Sequence, residues 1–291
     1  MVKGYSDMDS GSSFFALELR SVEEALVAAE MASLSAQVVA IQEQGRSSQA
    51  GKDSLVAGEV FGSAPIKICL AVPITSKKTD MQTVRDSPFW SNIMDSFMKS
   101  IDWRSNKFYF TFYVGFDKAD ELYDTGDAWS EFRDEFHKRA AFRMSEQLME
   151  PDEIEFLVKK RLGLRIMHFE HLDGAPSQIV SQLVSAAYVD NHDYFYQVND
   201  DTWIETANWP EKLVGCLSSS PIPNFGVTGP LDSNNDKIFT HSFTHRTHLE
   251  VFGYLFPPAF KNWWSDDWYA SPYTAVCYIH NYYMINDMCA G

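Results

Sequence analysis

Cysteine is scarce in this chain of 291 residues. The four present, Cys69, Cys216, Cys277 and Cys289, lie far apart and form no C-x-x-C pair. A zinc ribbon and a dense disulfide framework are thereby excluded, and a reducing compartment fits. Basic residues are few as well: 24 Lys and Arg stand against 40 Asp and Glu, for a formal charge of −16. A broad duplex nucleic-acid face and nonspecific adhesion to anionic lipid are both disfavoured by that balance. No stretch approaches the roughly 18 consecutive apolar residues that a bilayer span requires. The opening MVKGYSDMDSGSS lacks the apolar core of a secretory signal, and no N-x-[ST] acceptor occurs. These absences predict a soluble protein, cytoplasmic by default unless the sequence is part of a longer precursor. There is also no G-x-x-x-x-G-K-[ST] loop to cradle a phosphate with backbone amides and a lysine.

What is present is a core. At 45% hydrophobic and 14% aromatic, the composition is that of a globular protein. Residues 21 to 44 read as one helix, opened by Ser21 and Glu24 in capping-box spacing and stopped by Gly45. Val27, Met31, Leu34, Val38 and Ile41 alternate spacings of four and three, a seam about two heptads long. It serves either a homodimer or the body of the protein. The Gly-, Ser- and Ala-rich stretch 45 to 64 reads as a linker, so residues 1 to 62 form an N-terminal helix with linker and residues 63 to 291 the main domain.

Within the main domain the pattern alternates. IKICLAVPI (66 to 74), KFYFTFYVGF (107 to 116), LRIMHFE (164 to 170) and YFYQV (194 to 198) read as strands. PFWSNIMDSFMKSI (88 to 101), a long region with Trp129, Phe132 and Phe136 on one face, and SQIVSQLVSAAYV (177 to 189) read as helices. Strands alternating with helices predict an α/β fold, a mostly parallel sheet with helices on both faces. Ligands of such sheets gather at the carboxyl ends of the strands.

Two acidic constellations carry the chemistry. Asn199-Asp200-Asp201 follows the strand YFYQV directly, which places two carboxylates in a loop at the carboxyl edge, close enough to hold one hard cation. The same pair could instead cap a helix or form an Asx turn. Farther on, Asp266 and Asp267 stand in PPAFKNWWSDDWY among Phe260, Trp263, Trp264, Trp268 and Tyr269. A carboxylate among indoles loses hydration and becomes a better proton acceptor near neutral pH, although an aromatic core patch has the same composition. Between them, His241, His245 and His248 are spaced four and three, which raises a zinc-hydrolase alternative. The β-branched FTHSFTHRT segment argues against the helix that alternative needs.

The order LAVPIT, helix, VNDD, GVTGP and NWWSDDW resembles that of the GT-A glycosyltransferases, the nucleotide-diphospho-sugar transferase superfamily, over about residues 65 to 270. VNDD resembles their D-x-D motif, and NWWSDDW the W-G-x-E-D-type segment of inverting members. The resemblance implies a Rossmann-like GT-A fold and transfer of a sugar from a nucleoside diphosphate, with a UDP-sugar first among donors, to a glycan or protein hydroxyl. It implies Mn²⁺ or Mg²⁺ held by Asp201 with Asp200 in support, Asn199 facing the ribose, Asp266 binding sugar or acceptor, and Asp267 as general base. His280 is the available downstream histidine for a third metal ligand. Pro73, Thr75, Asp117 and Asp173 are candidates for the nucleotide pocket, and Trp264, His245 and Arg246 for sugar or acceptor contacts. Asn199 departs from a strict D-x-D, and the tail after Pro272 does not match the family, leaving room for a truncated C-terminus or a non-catalytic binding relative.

Overall fold

The computed structural model describes residues 64–147, 149–220, 222–232, 240–262, 265–270 and 284–287, with the side chains of 231–232, 266–267, 270 and 284–287 excepted. The helix expected over 21 to 44, its proposed dimer seam, the domain boundary near 62, Trp264 and His280 lie outside the described residues.

Four strands run parallel: β1 (Ile66–Pro73), β2 (Phe108–Asp117), β3 (Leu162–Phe169) and β4 (Tyr194–Gln197). A short β5 (Thr202–Ile204) leaves the end of β4. β6 (Val227–Thr228), β7 (Leu231–Asp232), β8 (Phe243–His245) and β9 (Met284–Asp287) follow. The main sheet has the order β3-β2-β1-β4-β8-β6, and β5-β9-β7 form a smaller sheet. β8 is antiparallel to both its neighbours, so it enters beside the end of β4 and leaves beside its start. The helices are α1 (Asp95–Ser100), which continues a π-helical turn at Trp90–Met94, then α2 (Ala128–Glu146), α3 (Pro151–Arg161), α4 (Pro176–Val189), α5 (Trp209–Ser218), α6 (Thr247–Phe252) and α7 (Ser265–Ala270).

Side-chain alternation along β1 and β2 explains why helices cover both faces. Ile68, Leu70 and Val72, with Phe108, Phe110, Phe112, Val114 and Phe116, point into one cluster. Phe89, Trp90, Phe97, Trp103, Phe132, Phe136 and Trp209 fill it from the helical side. The indoles in this layer are hydrogen-bonded, as buried indoles need to be: Trp90 donates to the Val84 carbonyl at 2.7 Å, Trp103 to that of Met98 at 3.1 Å, and Trp209 to Ser100 Oγ at 3.2 Å. Arg161 is buried too. Its guanidinium donates to the Phe108 and Trp103 carbonyls and lies over the Trp103 ring, so carbonyl dipoles take the place of a counter-ion.

On the opposite face lie buried Cys69, Ala71 and Tyr113, and at Gly115 helix α4 packs closely with Ile179 and Leu183. The result is the α/β, Rossmann-like sheet with helices on both faces that the strand and helix pattern anticipates. Among the described residues, no helix is long and apolar enough to cross a membrane.

The closeness of α4 is testable at Gly115, where a methyl group would meet Ile179 and Leu183 at 2.9 Å. Gly115→Ala should destabilise the fold by roughly 1–3 kcal/mol through overpacking. Gly215→Ala, inside α5 with nothing within 4 Å, should instead stabilise it by about 0.5–1 kcal/mol. Urea unfolding of both variants checks the opposite signs.

Candidate active site

The carboxyl ends of β1 and β2 are bound together by one buried carboxylate. The Ile74 amide still donates to the Gly115 carbonyl at 2.8 Å, after which the chain leaves β1 through exposed Thr75. Asp120, 1% exposed, accepts from Thr75 Oγ1 at 3.0 Å, from the Ser76 amide at 2.7 Å and Ser76 Oγ at 2.6 Å, and from the Leu122 and Tyr123 amides at 3.2 and 3.1 Å. Burial by itself would raise the Asp120 pKa, but these donors together hold it below the ordinary carboxylate range.

Asp117, the last residue of β2, accepts from the Ala119 amide at 3.0 Å and from the Leu172 amide at 2.7 Å, which fixes the loop after β3. Asp173 in that loop pairs with Lys77 from the loop after β1 at 2.7 Å. A cleft of about 430 Å³ opens here, lined by Asp117, Lys118, Asp124, Glu170, His171 and Asp173 among others. Of the residues expected at the nucleotide pocket, Asp117 and Asp173 line this cleft, while Thr75 and half-buried Pro73 flank it through the Asp120 network and the β1–β2 register.

The acidic loop emerges one strand over. The Val198 amide donates to Ala71 at 3.2 Å, keeping the chain in register beside β1, and Asn199 accepts from the Thr202 amide at 3.3 Å to close a tight turn around Asp200 and Asp201. Burial, and then the adjacent charge of Asp201, push the Asp200 pKa up to about 7. Thr202, fully buried, meets His241 Nε2 through its Oγ1 at 2.6 Å.

Helix α7 carries Asp266 and Asp267 in its backbone and buries Trp268 and Tyr269, 0% and 1% exposed. Trp268 lies edge-on to Phe252 and Phe260. Tyr269 reaches the sheet, its hydroxyl 3.2 Å from Ser242 Oγ. Ser242 Oγ donates to Gln197 Oε1 at 2.9 Å, and the Ser242 carbonyl accepts from the Gln197 amide at 2.9 Å. The preceding PPAFKN segment is tied to the start of α4: Ser177 donates to Lys261 at 3.1 Å and Gln178 to Pro258 at 2.9 Å. The helix bearing the second acidic pair is therefore docked at the end of β4 from which Asn199, Asp200 and Asp201 emerge.

His245 and Arg246, expected as sugar or acceptor contacts, stand elsewhere. His245 pairs with Tyr194, the first residue of β4, and the Arg246 amide donates to Asp193 at 2.8 Å. They lie at the amino edge of the strand, about 10 Å along it from Gln197 at ~3.3 Å per residue. The reversal of β8 is the cause: His241 enters at the carboxyl edge and His245 leaves at the amino edge. Arg246 is engaged with Glu250 at 3.0 Å and lies over the Tyr188 ring. The three histidines thus do not share a helical face, and among the described residues no three His, Cys, Asp or Glu side chains group to hold a metal.

Asp120, Lys77 and Ser242 were not singled out in the sequence, and Tyr269 stood out only as one of the aromatic residues around Asp266 and Asp267. Among the first three the only available signal was for Asp120, whose D-x-x-D spacing from Asp117 follows directly on a strand.

No protein-family model matches the chain, and no curated protein matches it. Among solved structures, it is similar to S. aureus TarS 1-349 in complex with UDP-GlcNAc, at 10% identity over 78% of this chain and 60% of that one, with a TM-score of 0.43. S. aureus TarS is similar at 11% over 76% of this chain and 35% of that one, TM-score 0.41. The mannosyltransferase PcManGT from Pyrobaculum calidifontis, in complex with GDP-Man and Mn²⁺, is similar at 13% over 84% of this chain and 61% of that one, TM-score 0.39. The chain spans less than two thirds of each. The fold assignment rests on the strand order and register above.

Two outcomes test this geometry. Asp120→Asn places an amide N–H against the donors around it and should cost roughly 3 kcal/mol in urea unfolding, against about 1 kcal/mol for Ser76→Ala. His248, fully buried with Nε2 at 3.1 Å from the Leu255 carbonyl, has its pKa pushed down from 6.5 to about 4 by burial, against the opposing pull of nearby carbonyls. The folded protein binds this proton less readily than the unfolded chain. Stability from this group is therefore complete above pH 6.5 and falls as pH drops toward 4, by up to about 3 kcal/mol. Unfolding of wild type and His248→Gln at pH 7.5 and 4.5 should show a smaller acid loss in the variant.

Proposed function

We propose that the chain is a metal-dependent glycosyltransferase that moves a sugar from a nucleoside diphosphate, a UDP-sugar first among donors, to a hydroxyl of a glycan or protein, with inversion at the anomeric carbon. The observation that carries this reading is the Gln197–Ser242–Tyr269 chain of hydrogen bonds, which sets the helix of Asp266 and Asp267 at the same end of β4 as Asn199, Asp200 and Asp201.

The residues present fit a divalent cation. Asp200 and Asp201 are adjacent, hard oxygen donors suited to Mn²⁺ or Mg²⁺, and the burial and adjacent Asp201 charge that raise the Asp200 pKa are penalties that a dication relieves. In this reading Asp201 is the direct ligand, Asp200 supports it, and His280 is the candidate third ligand carried by the family resemblance alone. Bound there, the ion offsets the charge of the departing nucleoside diphosphate.

The chain's own groups do the rest. Asn199 faces the ribose, while Pro73, Thr75, Asp117 and Asp173 frame the nucleoside around the cleft. Asp267 accepts the acceptor hydroxyl proton as that oxygen attacks the anomeric carbon, and Asp266 holds the sugar or acceptor. Trp264 offers an apolar face to a sugar ring. The neutral amide at Asn199 favours a second reading, a non-catalytic nucleotide-sugar binder, because an amide is a poorer ligand for a hard cation.

Mn²⁺ should stimulate release of UDP from a UDP-sugar, and Asp201→Ala should abolish that stimulation. Asp267→Asn should keep donor binding while lowering transfer by at least about a hundredfold. Activity indifferent to both changes would remove the transferase reading. Donor binding without turnover toward any acceptor would support the second.

A further inference from the structure

The dipeptide His241–Ser242 sits where β8 enters the sheet, with both residues 1% exposed. It faces two ways. His241 Nε2 holds Thr202 Oγ1 at 2.6 Å, and Thr202 directly follows Asp201. Ser242 grips Gln197 twice, backbone to backbone and Oγ to Oε1, both at 2.9 Å, and the same Oγ meets the Tyr269 hydroxyl at 3.2 Å, two residues beyond Asp267. The acidic turn is therefore held on both flanks, at Gln197 and at Thr202, by the two consecutive residues that lead into β8. The second of those residues also holds the helix carrying the other acidic pair. None of these bonds reaches solvent, so water does not substitute easily when one is removed.

We infer that His241 and Ser242 form a bracket of positioning residues that sets the distance between the metal-binding turn and the proton-accepting helix. The inference rests on the transferase reading above. It assigns different parameters to the two arms. The His241–Thr202 arm governs the shape of the Asp200–Asp201 turn and hence cation affinity. The Ser242–Tyr269 arm governs where α7 stands and hence the chemical step.

Two near-isosteric deletions in the full-length protein separate the arms, because each removes one hydroxyl and leaves the volume nearly unchanged. Thr202→Val should weaken Mn²⁺ binding, measured by isothermal titration with the metal alone, about threefold to tenfold, the span expected for one lost hydrogen bond. Thr202→Ser should restore it. Tyr269→Phe should leave the Mn²⁺ affinity unchanged and lower kcat with acceptor by a similar factor, at constant KM for the UDP-sugar. The bracket is overturned if neither variant moves its parameter, or if each moves both parameters together, as a merely structural role would. Wild-type protein that binds Mn²⁺ yet releases no UDP sinks the transferase reading alone, and the Mn²⁺ arm still judges the bracket.

Discussion

Repulsion among carboxylates gathered at one sheet edge is the constraint around which this molecule is built. Asp117 ends β2, and Asp120, Asp173, Asp200 and Asp201 follow β2, β3 and β4 within a few residues, in a chain already carrying −16. Each must be given donors, a cation, or a proton. Asp120 is given hydroxyls and amides, and Asp117 two amides. Asp173 is given Lys77. Asp200 is buried beside the charge of Asp201, and its pKa climbs despite its backbone donors. Beside β2 the donors prevail over burial at Asp120, and beyond β4 burial and like charge prevail over the donors at Asp200. A ligand that brings positive charge has most to gain beyond β4.

Much of the fold was legible in the sequence. The four parallel strands and the helix 176 to 189 announce themselves because buried strands are continuous apolar runs and their helices repeat every three to four residues. Ile66–Pro73 and Phe108–Asp117 fall within a residue or two of the stretches expected. The antiparallel entry of β8 was not legible. Three residues of strand carry too little periodicity, and pairing with β4 is a long-range choice that no local pattern records.

The site was half legible for the same reason. Asn199, Asp200 and Asp201 could be placed because they directly follow an evident strand, and Asp117 likewise. His245 and Arg246 lie at the amino edge because their position depends on the direction of β8, which reverses the edge to which each residue belongs. The side chains that tie the loops, Asp120, Ser242 and Tyr269, are ordinary polar residues by composition. They acquire a role only from the partners that folding brings to them. Local sequence marks groups that carry charge at strand ends more readily than groups that hold them still.

The bond between Gln197 and Ser242 spans 45 residues of chain. During synthesis the first three strands, contiguous neighbours in the sheet, have all their partners well before β8 emerges. The turn at Asn199–Asp201 does not, and stays unbraced on one side until the ribosome has delivered the returning strand. A nascent chain stalled in that interval would hold a nearly finished sheet whose turn after β4 still lacks the partners at Gln197 and Thr202 that fix its shape.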